Sequence, residues 1–145
     1  MTRQLFGRLT LIWLLVSLPL VCARPVRSSE DAQSFYIRFR QAALDGNVAL
    51  LTELTHFPFR TRGELDHDPV EHHNARQFAG LVERLLNEQS ADNTRTVRDV
   101  LRSHSQIGPD DYQGSPDSIR IENLVFERLN GHWRFTFAYI TLRGE

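Results

Sequence analysis

The last third of the chain changes from helical to alternating spacing, and this change restricts the fold more than any other feature. Apolar residues alternate with polar ones over 119–126, and a shift of phase at Glu122-Asn123 predicts a β-bulge. Asn130-Gly131 is the preferred two-residue turn of a β-hairpin, because both positions tolerate positive φ. The returning strand is expected to carry four aromatic residues on one face: Trp133, Phe135, Phe137 and Tyr139. Such a face needs a cover, which helices can supply.

The strongest helical signal lies before this region. Five apolar residues follow the spacing of one helix face: Phe78, Leu81, Val82, Leu85 and Leu86. Asn74 and Gln77 have the spacing of a capping box at the start of this helix. Thr94 or Thr96 is expected to open a further short helix.

The first helix is expected to begin at Ser28 or Ser29 as N-cap and to end at Gly46. Asn47 then caps a second, short helix. The segment 56–59 places two aromatic residues around a proline, which suits an edge strand or the beginning of a strand. The chain is therefore expected to be α+β, with a curved antiparallel sheet wrapped around N-terminal helices.

The N-terminus has the three parts of an export signal. Arg3 and Arg8 precede an apolar run over 9–21, and small residues at Cys22 and Ala23 form a cleavage pattern. The run is shorter than the about 20 residues that a spanning helix needs. The sequence predicts a signal peptide over 1–23, a flexible lead over 24–29 and one domain over 30–145, without a stable membrane anchor. Cleavage near Ala23 would place the protein in the periplasm or outside the cell.

Composition removes several classes of function. The only cysteine lies in the predicted signal peptide, so the domain has no thiol for a disulfide, a metal site or catalysis. The 17 basic residues, all arginine, oppose 18 acidic ones, giving a formal net charge of −1. A nucleic-acid partner is not expected, because phosphate neutralisation would require a basic excess.

The densest polar cluster is the segment 66–73, which holds three histidines and three carboxylates. Its spacing fits neither the helical His-Glu-x-x-His motif nor another zinc pattern, and neighbouring His72 and His73 would diverge. A solvated loop is the preferred interpretation, and no metal or other cofactor is predicted.

The chain offers candidates for acid–base catalysis, but none of them belongs to a recognised catalytic motif. His56 flanks the aromatic-proline segment and His132 begins the last strand, so either could line a pocket, although a solvent-facing position is the expectation. Asp110 and Asp111 suit a turn, and Ser115 lacks the nucleophile-elbow pattern. No catalytic residue is assigned.

Three passages together resemble the nuclear transport factor 2-like superfamily, which includes polyketide-cyclase-like enzymes and exported bacterial proteins of unknown function. They are the segment 35–54 with its joint Ala43-Leu44-Asp45-Gly46-Asn47, the segment His56-Phe57-Pro58-Phe59, and the segment 124–139 with its Asn-Gly-x-Trp hairpin. The resemblance implies a cone-shaped, cystatin-like fold in which the sheet curls around a pocket. No family catalytic residue can be matched to a position of this chain.

The resulting hypothesis is an exported, non-enzymatic module that binds a small apolar ligand or an envelope protein. The aromatic row 133–139 could line a ligand pocket, although such a row is more often core. The first alternative is a pocket acid–base enzyme of cyclase, isomerase or dehydratase type. The second is a protein that neutralises a toxin or hydrolase in the envelope.

Overall fold

Four α-helices and a five-stranded sheet make up the part of the chain that the computed structural model describes, residues 30–90 and 93–140. The helices are α1 (Ala32–Asp45), α2 (Val48–Glu53), α3 (Ala75–Asn87) and α4 (Val97–Ser103), and a 3-10 turn covers Pro109–Asp111. The strands are β1 (Thr55–Arg62), β2 (Glu71–His73), β3 (Ser118–Ile121), β4 (Leu124–Leu129) and β5 (His132–Tyr139). The predicted α+β class is confirmed, with a curved, unclosed sheet packed on helices. The predicted signal peptide and lead lie outside the described residues.

The sheet has the strand order β2-β1-β5-β4-β3. Neighbouring strands are antiparallel except β1 and β5, which run parallel. The connection between these two strands contains β2, α3, α4, β3 and β4, so β1 and β5 are neighbours in the sheet but far apart in the sequence. The sheet is therefore mixed, whereas the sequence predicted antiparallel pairing throughout.

Local capping chemistry fixes the helix ends. Asn74 and Gln77 form the predicted capping box of α3, and Gly46 ends α1 at φ 66°. Thr96, one of the two predicted candidates, caps α4. The start of α1 differs from the prediction, because the Asp31 carboxylate accepts the hydrogen bond from the Ser34 N–H at 2.8 Å. Ser28 and Ser29, the predicted N-caps, lie outside the described residues.

Phenylalanine rings fill the space between the helices and the sheet. Six of them are at most 1% exposed: Phe35, Phe39, Phe59, Phe78, Phe126 and Phe135. Ring centroids in this cluster lie 4.6 to 6.4 Å apart, which is the spacing of rings in direct contact. Neighbouring rings at this spacing leave no room for a ligand between them.

A β-bulge in β5 divides the predicted aromatic row between two faces. Phe126 pairs with Phe135, but the next β4 residue, Val125, pairs with Phe137, so Thr136 is the extra residue. Trp133 and Phe135 consequently face the core, as predicted, whereas Phe137 and Tyr139 face the opposite side of the sheet. The predicted bulge at 122–123 is instead the two-residue turn between β3 and β4.

Candidate functional site

The interior of the fold holds none of the predicted acid–base candidates. His56 and His132 are both exposed, which agrees with the solvent-facing positions expected for them. Asp110 is exposed in the 3-10 turn, and the Ser115 hydroxyl accepts a hydrogen bond from the Asp117 N–H at 3.2 Å within a loop. These residues serve turns or face solvent.

The acidic and histidine-rich segment 66–73 ends in the short edge strand β2, which the sequence did not predict. His72 and His73 lie on opposite faces of this strand, and His73 contacts Thr61 through its Nε2 atom at 2.8 Å. Within residues 30–90 and 93–140, no group of three or more histidine, cysteine or acidic residues could hold a metal ion.

His73 comes closest to a catalytic arrangement, but its geometry does not support one. The Thr61 hydroxyl and the Glu71 carboxylate approach the same ring nitrogen, at 2.8 and 3.7 Å. In a nucleophilic triad the carboxylate orients the ring through the other nitrogen. Thr61 is moreover 0% exposed, so a substrate could not reach its hydroxyl.

His104 and Asp111 form a second pair, with 3.0 Å between Nε2 and Oδ2. The Asp111 carboxylate also accepts from the Gly108 N–H at 2.7 Å, and the Tyr36 hydroxyl donates to the His104 carbonyl at 2.7 Å. Burial raises the pKa of the Tyr36 hydroxyl, which therefore stays protonated as a donor. These contacts hold the loop 104–111 against α1. The His104–Asp111 pair therefore has a structural role.

Two surface depressions are poor sites for a drug-sized ligand. One, of about 80 Å³, lies at the sheet rim beside Arg120, Asn123 and Tyr139, with three glutamates (Glu64, Glu88 and Glu122) in its lining. It is well below the ~300 Å³ of a typical ligand pocket. The other, of about 470 Å³, is open to solvent and lined by residues of the single loop 112–116.

The outer face of the sheet, which points away from the helices, is the most distinctive surface of the described residues. Cross-strand partners point to the same side of a sheet, so the register determines which side chains share this face. One row crosses all five strands: His72, Arg60, Phe137, Val125 and Arg120. Neighbouring rows add Arg62 beside Tyr139, and Glu127 beside Arg134.

Guanidinium groups cover both outward aromatic rings. The Arg60 guanidinium carbon lies 5.7 Å from the centroid of Phe137. Those of Arg62 and Arg120 lie 5.6 and 4.3 Å from the centroid of Tyr139. The two rings pack edge to face, with 4.9 Å between centroids. The residues Arg60, Arg62, Arg120, Arg134, Phe137 and Tyr139 are called the arginine face below.

The arginine face is basic although the chain has a formal net charge of −1. Among the paired strand residues on this side, four arginines are opposed by one acid, Glu127, which contacts Arg60 at 3.0 Å. Asp66, from the connection between β1 and β2, approaches Arg62 at 3.7 Å. Apart from Glu71, which lies on the Thr61 side of β2, the other acidic residues of the described chain are on the helices, the loops and the sheet rim. The strand residues of this face are therefore predominantly basic.

Sequence reasoning missed the arginine face. The alternation Arg60-Thr61-Arg62 was a usable signal, because a buried Thr61 places both arginines outward. Phe137 and Tyr139 were predicted on the core side, because counting every second residue from Trp133 ignores the bulge.

No family model, curated protein or solved structure matches the chain in the three comparisons made. The resemblance to the nuclear transport factor 2-like superfamily therefore stays a prediction. In residues 30–90 and 93–140, no helix is long and apolar enough to cross a bilayer.

Proposed function

We propose that this domain is a non-enzymatic protein-binding module that uses the arginine face of its sheet. One observation carries the proposal: phenylalanine rings occupy the interior, while Phe137 and Tyr139 are placed on the outside of the same sheet. A small apolar ligand would need the space that the rings occupy. An acid–base enzyme would need a titratable group in a pocket, and His56 and His132 are both exposed.

The residue types of the arginine face are those of protein interfaces. Aromatic residues and arginine are enriched at interface cores and among residues that dominate binding energy. A ring under a guanidinium keeps its orientation, so a partner would meet a surface that is already ordered. Phe137 and Tyr139 would lie at the centre of such an interface, with the arginines around them.

Site-specific photo-cross-linking in the envelope of the source organism tests the proposal. A photoreactive amino acid is placed at Ser118, which shares the outer side of the sheet with Glu127, and at Ala79, an exposed position of α3. We expect a discrete adduct from Ser118 that is lost in a variant carrying Phe137→Ala and Tyr139→Ala. Equal adducts from both positions, or adducts from Ala79 alone, would contradict binding through the sheet.

We also propose that the domain acts in the periplasm or outside the cell, after cleavage near Ala23. The support is the charged start, the apolar run and the small residues before the cut. N-terminal sequencing of protein from the envelope fraction should read from Arg24. A chain that retains Met1 and stays with the cytoplasmic fraction would contradict export.

A further inference from the structure

Charge and size together point to one kind of partner for the arginine face. We infer that it binds an acidic protein segment that carries an apolar or aromatic side chain, lying across the strands. This inference rests on the proposed function, because it names the partner of the same surface.

The guanidinium groups retain donors for a carboxylate. Each guanidinium has five N–H donors. Arg120 donates from Nε to the Glu122 carbonyl at 2.7 Å, and Arg134 donates from one terminal nitrogen to the Trp133 carbonyl at 3.1 Å. The Nε of Arg62 is buried, so only its terminal nitrogens can reach a partner, and one of them lies 3.7 Å from the Asp66 carboxylate. A guanidinium stacked on a ring leaves its N–H edge available for the two oxygens of a carboxylate.

The same charges disfavour a second copy of this chain. Two arginine faces brought together would oppose four arginines with four others, and on this side of the sheet each copy offers only Glu127 as an acid among the paired strand residues. Like charges across an interface cost several kcal/mol. Self-association through this face is therefore unfavourable.

Nucleic acid fits the surroundings less well than an acidic segment. Glu127 lies within the face and Glu64, Glu88 and Glu122 line its rim. Every nucleotide carries a phosphate, so a strand crossing the face would bring charges next to these glutamates, whereas a polypeptide can place its carboxylates opposite the arginines alone. Phe137 and Tyr139 are half-buried in the face and offer an apolar contact between the charges.

The dimensions of the face suit a segment better than a large interface. Five strands about 4.8 Å apart span roughly 20 Å across the sheet, and their lengths of 3 to 8 residues correspond to roughly 10 to 26 Å along the strands, about 20 Å on average. The resulting ~400 Å² is about half of what each partner buries in a standard interface.

The test uses a defined probe, a short peptide of glutamates around one phenylalanine, with a matched peptide in which every glutamate is replaced by glutamine. We expect saturable binding of the acidic peptide, at least about tenfold tighter than the glutamine peptide and weakened by salt.

The double variant Arg120→Gln with Arg134→Gln should bind the acidic peptide about tenfold more weakly, and Arg62→Gln with Arg120→Gln should lose at least as much affinity. The matched control, Arg76→Gln with Arg84→Gln on α3, should bind as the unmodified protein does. Melting temperatures of all variants show whether a loss of affinity reflects unfolding.

Several results would overturn the inference: equal affinity for the two peptides, an equal loss in the α3 control, tighter binding of single-stranded DNA or anionic vesicles, or dimerisation through the face. Failure of the acidic chemistry is distinguishable from failure of the proposed function. If the cross-link from Ser118 to the native partner survives in the Arg120→Gln, Arg134→Gln variant, the face still binds protein. In that case only the acidic character of the partner is wrong.

Discussion

Alanine substitutions at Phe135 and Phe137 should separate the two faces of β5. Phe135 is 1% exposed and its ring lies 4.6 to 6.1 Å from the rings of Phe39, Phe59, Phe78 and Phe126. Truncating a core phenylalanine costs about 3–5 kcal/mol, and loss of several ring contacts places Phe135→Ala near the upper end.

Phe137 is half-buried on the other side, and its ring neighbours are Tyr139 at 4.9 Å and the Arg60 guanidinium at 5.7 Å. One aromatic pair and one exposed cation–π contact are worth about 1–2 kcal/mol together. Phe137→Ala should therefore destabilise the domain by about 3 kcal/mol less than Phe135→Ala.

Urea unfolding followed by the fluorescence of Trp133 measures the difference, since Trp133 is the only tryptophan of a chain beginning at Arg24. If Phe135→Ala does not fold, Phe135→Leu should still cost about 1–2 kcal/mol. Equal losses at the two positions would mean that both rings face the core. The β5 bulge, and with it the arginine face, would then be wrong.

Further predictions concern the helix ends. Thr96→Ala removes the N-cap hydroxyl of α4 and should cost about 1 kcal/mol in urea unfolding. Gly46→Ala places a Cβ at φ 66° and should cost about 1 kcal/mol, whereas an unchanged stability would show that α1 ends differently. Hydrogen bonds, chiefly from the Ser34 N–H to Asp31 and from the Thr96 hydroxyl to Asp99, hold the pKa of each carboxyl below 3.8. The two carboxylates therefore stabilise the fold above about pH 3.8, and this stabilisation is lost as the pH falls through their lowered pKa values. The double variant Asp31→Asn with Asp99→Asn should consequently show a flatter pH dependence of unfolding below about pH 4.

Local signals in the sequence predicted much of the fold. The apolar stripe and the capping box of α3 depend only on residues within the helix, and both are confirmed. Asn130-Gly131 forms the predicted turn, with φ values of 50° and 82°. The α+β class followed from these elements, because a hairpin with an apolar face needs helices to cover it.

Features that depend on pairing between distant strands could not be predicted in the same way. The bulge opposite Val125 arises from how β4 and β5 align, and no residue near Thr136 marks it. The parallel pairing of β1 with β5 and the short strand β2 likewise depend on neighbours far away in the chain. The arginine face was missed because it depends on the local alternation of residues 60–62 and also on the pairing of distant strands, which the sequence does not show.

Hydroxyl-radical footprinting with and without the native partner tests the central claim most directly. It compares the oxidation of Phe137 and Tyr139 with that of Tyr112, which is 37% exposed in a loop and serves as an internal control. Binding through the arginine face predicts that the partner protects Phe137 and Tyr139 and leaves Tyr112 unchanged. Unchanged oxidation of Phe137 and Tyr139 in the complex, with protection elsewhere, would contradict it.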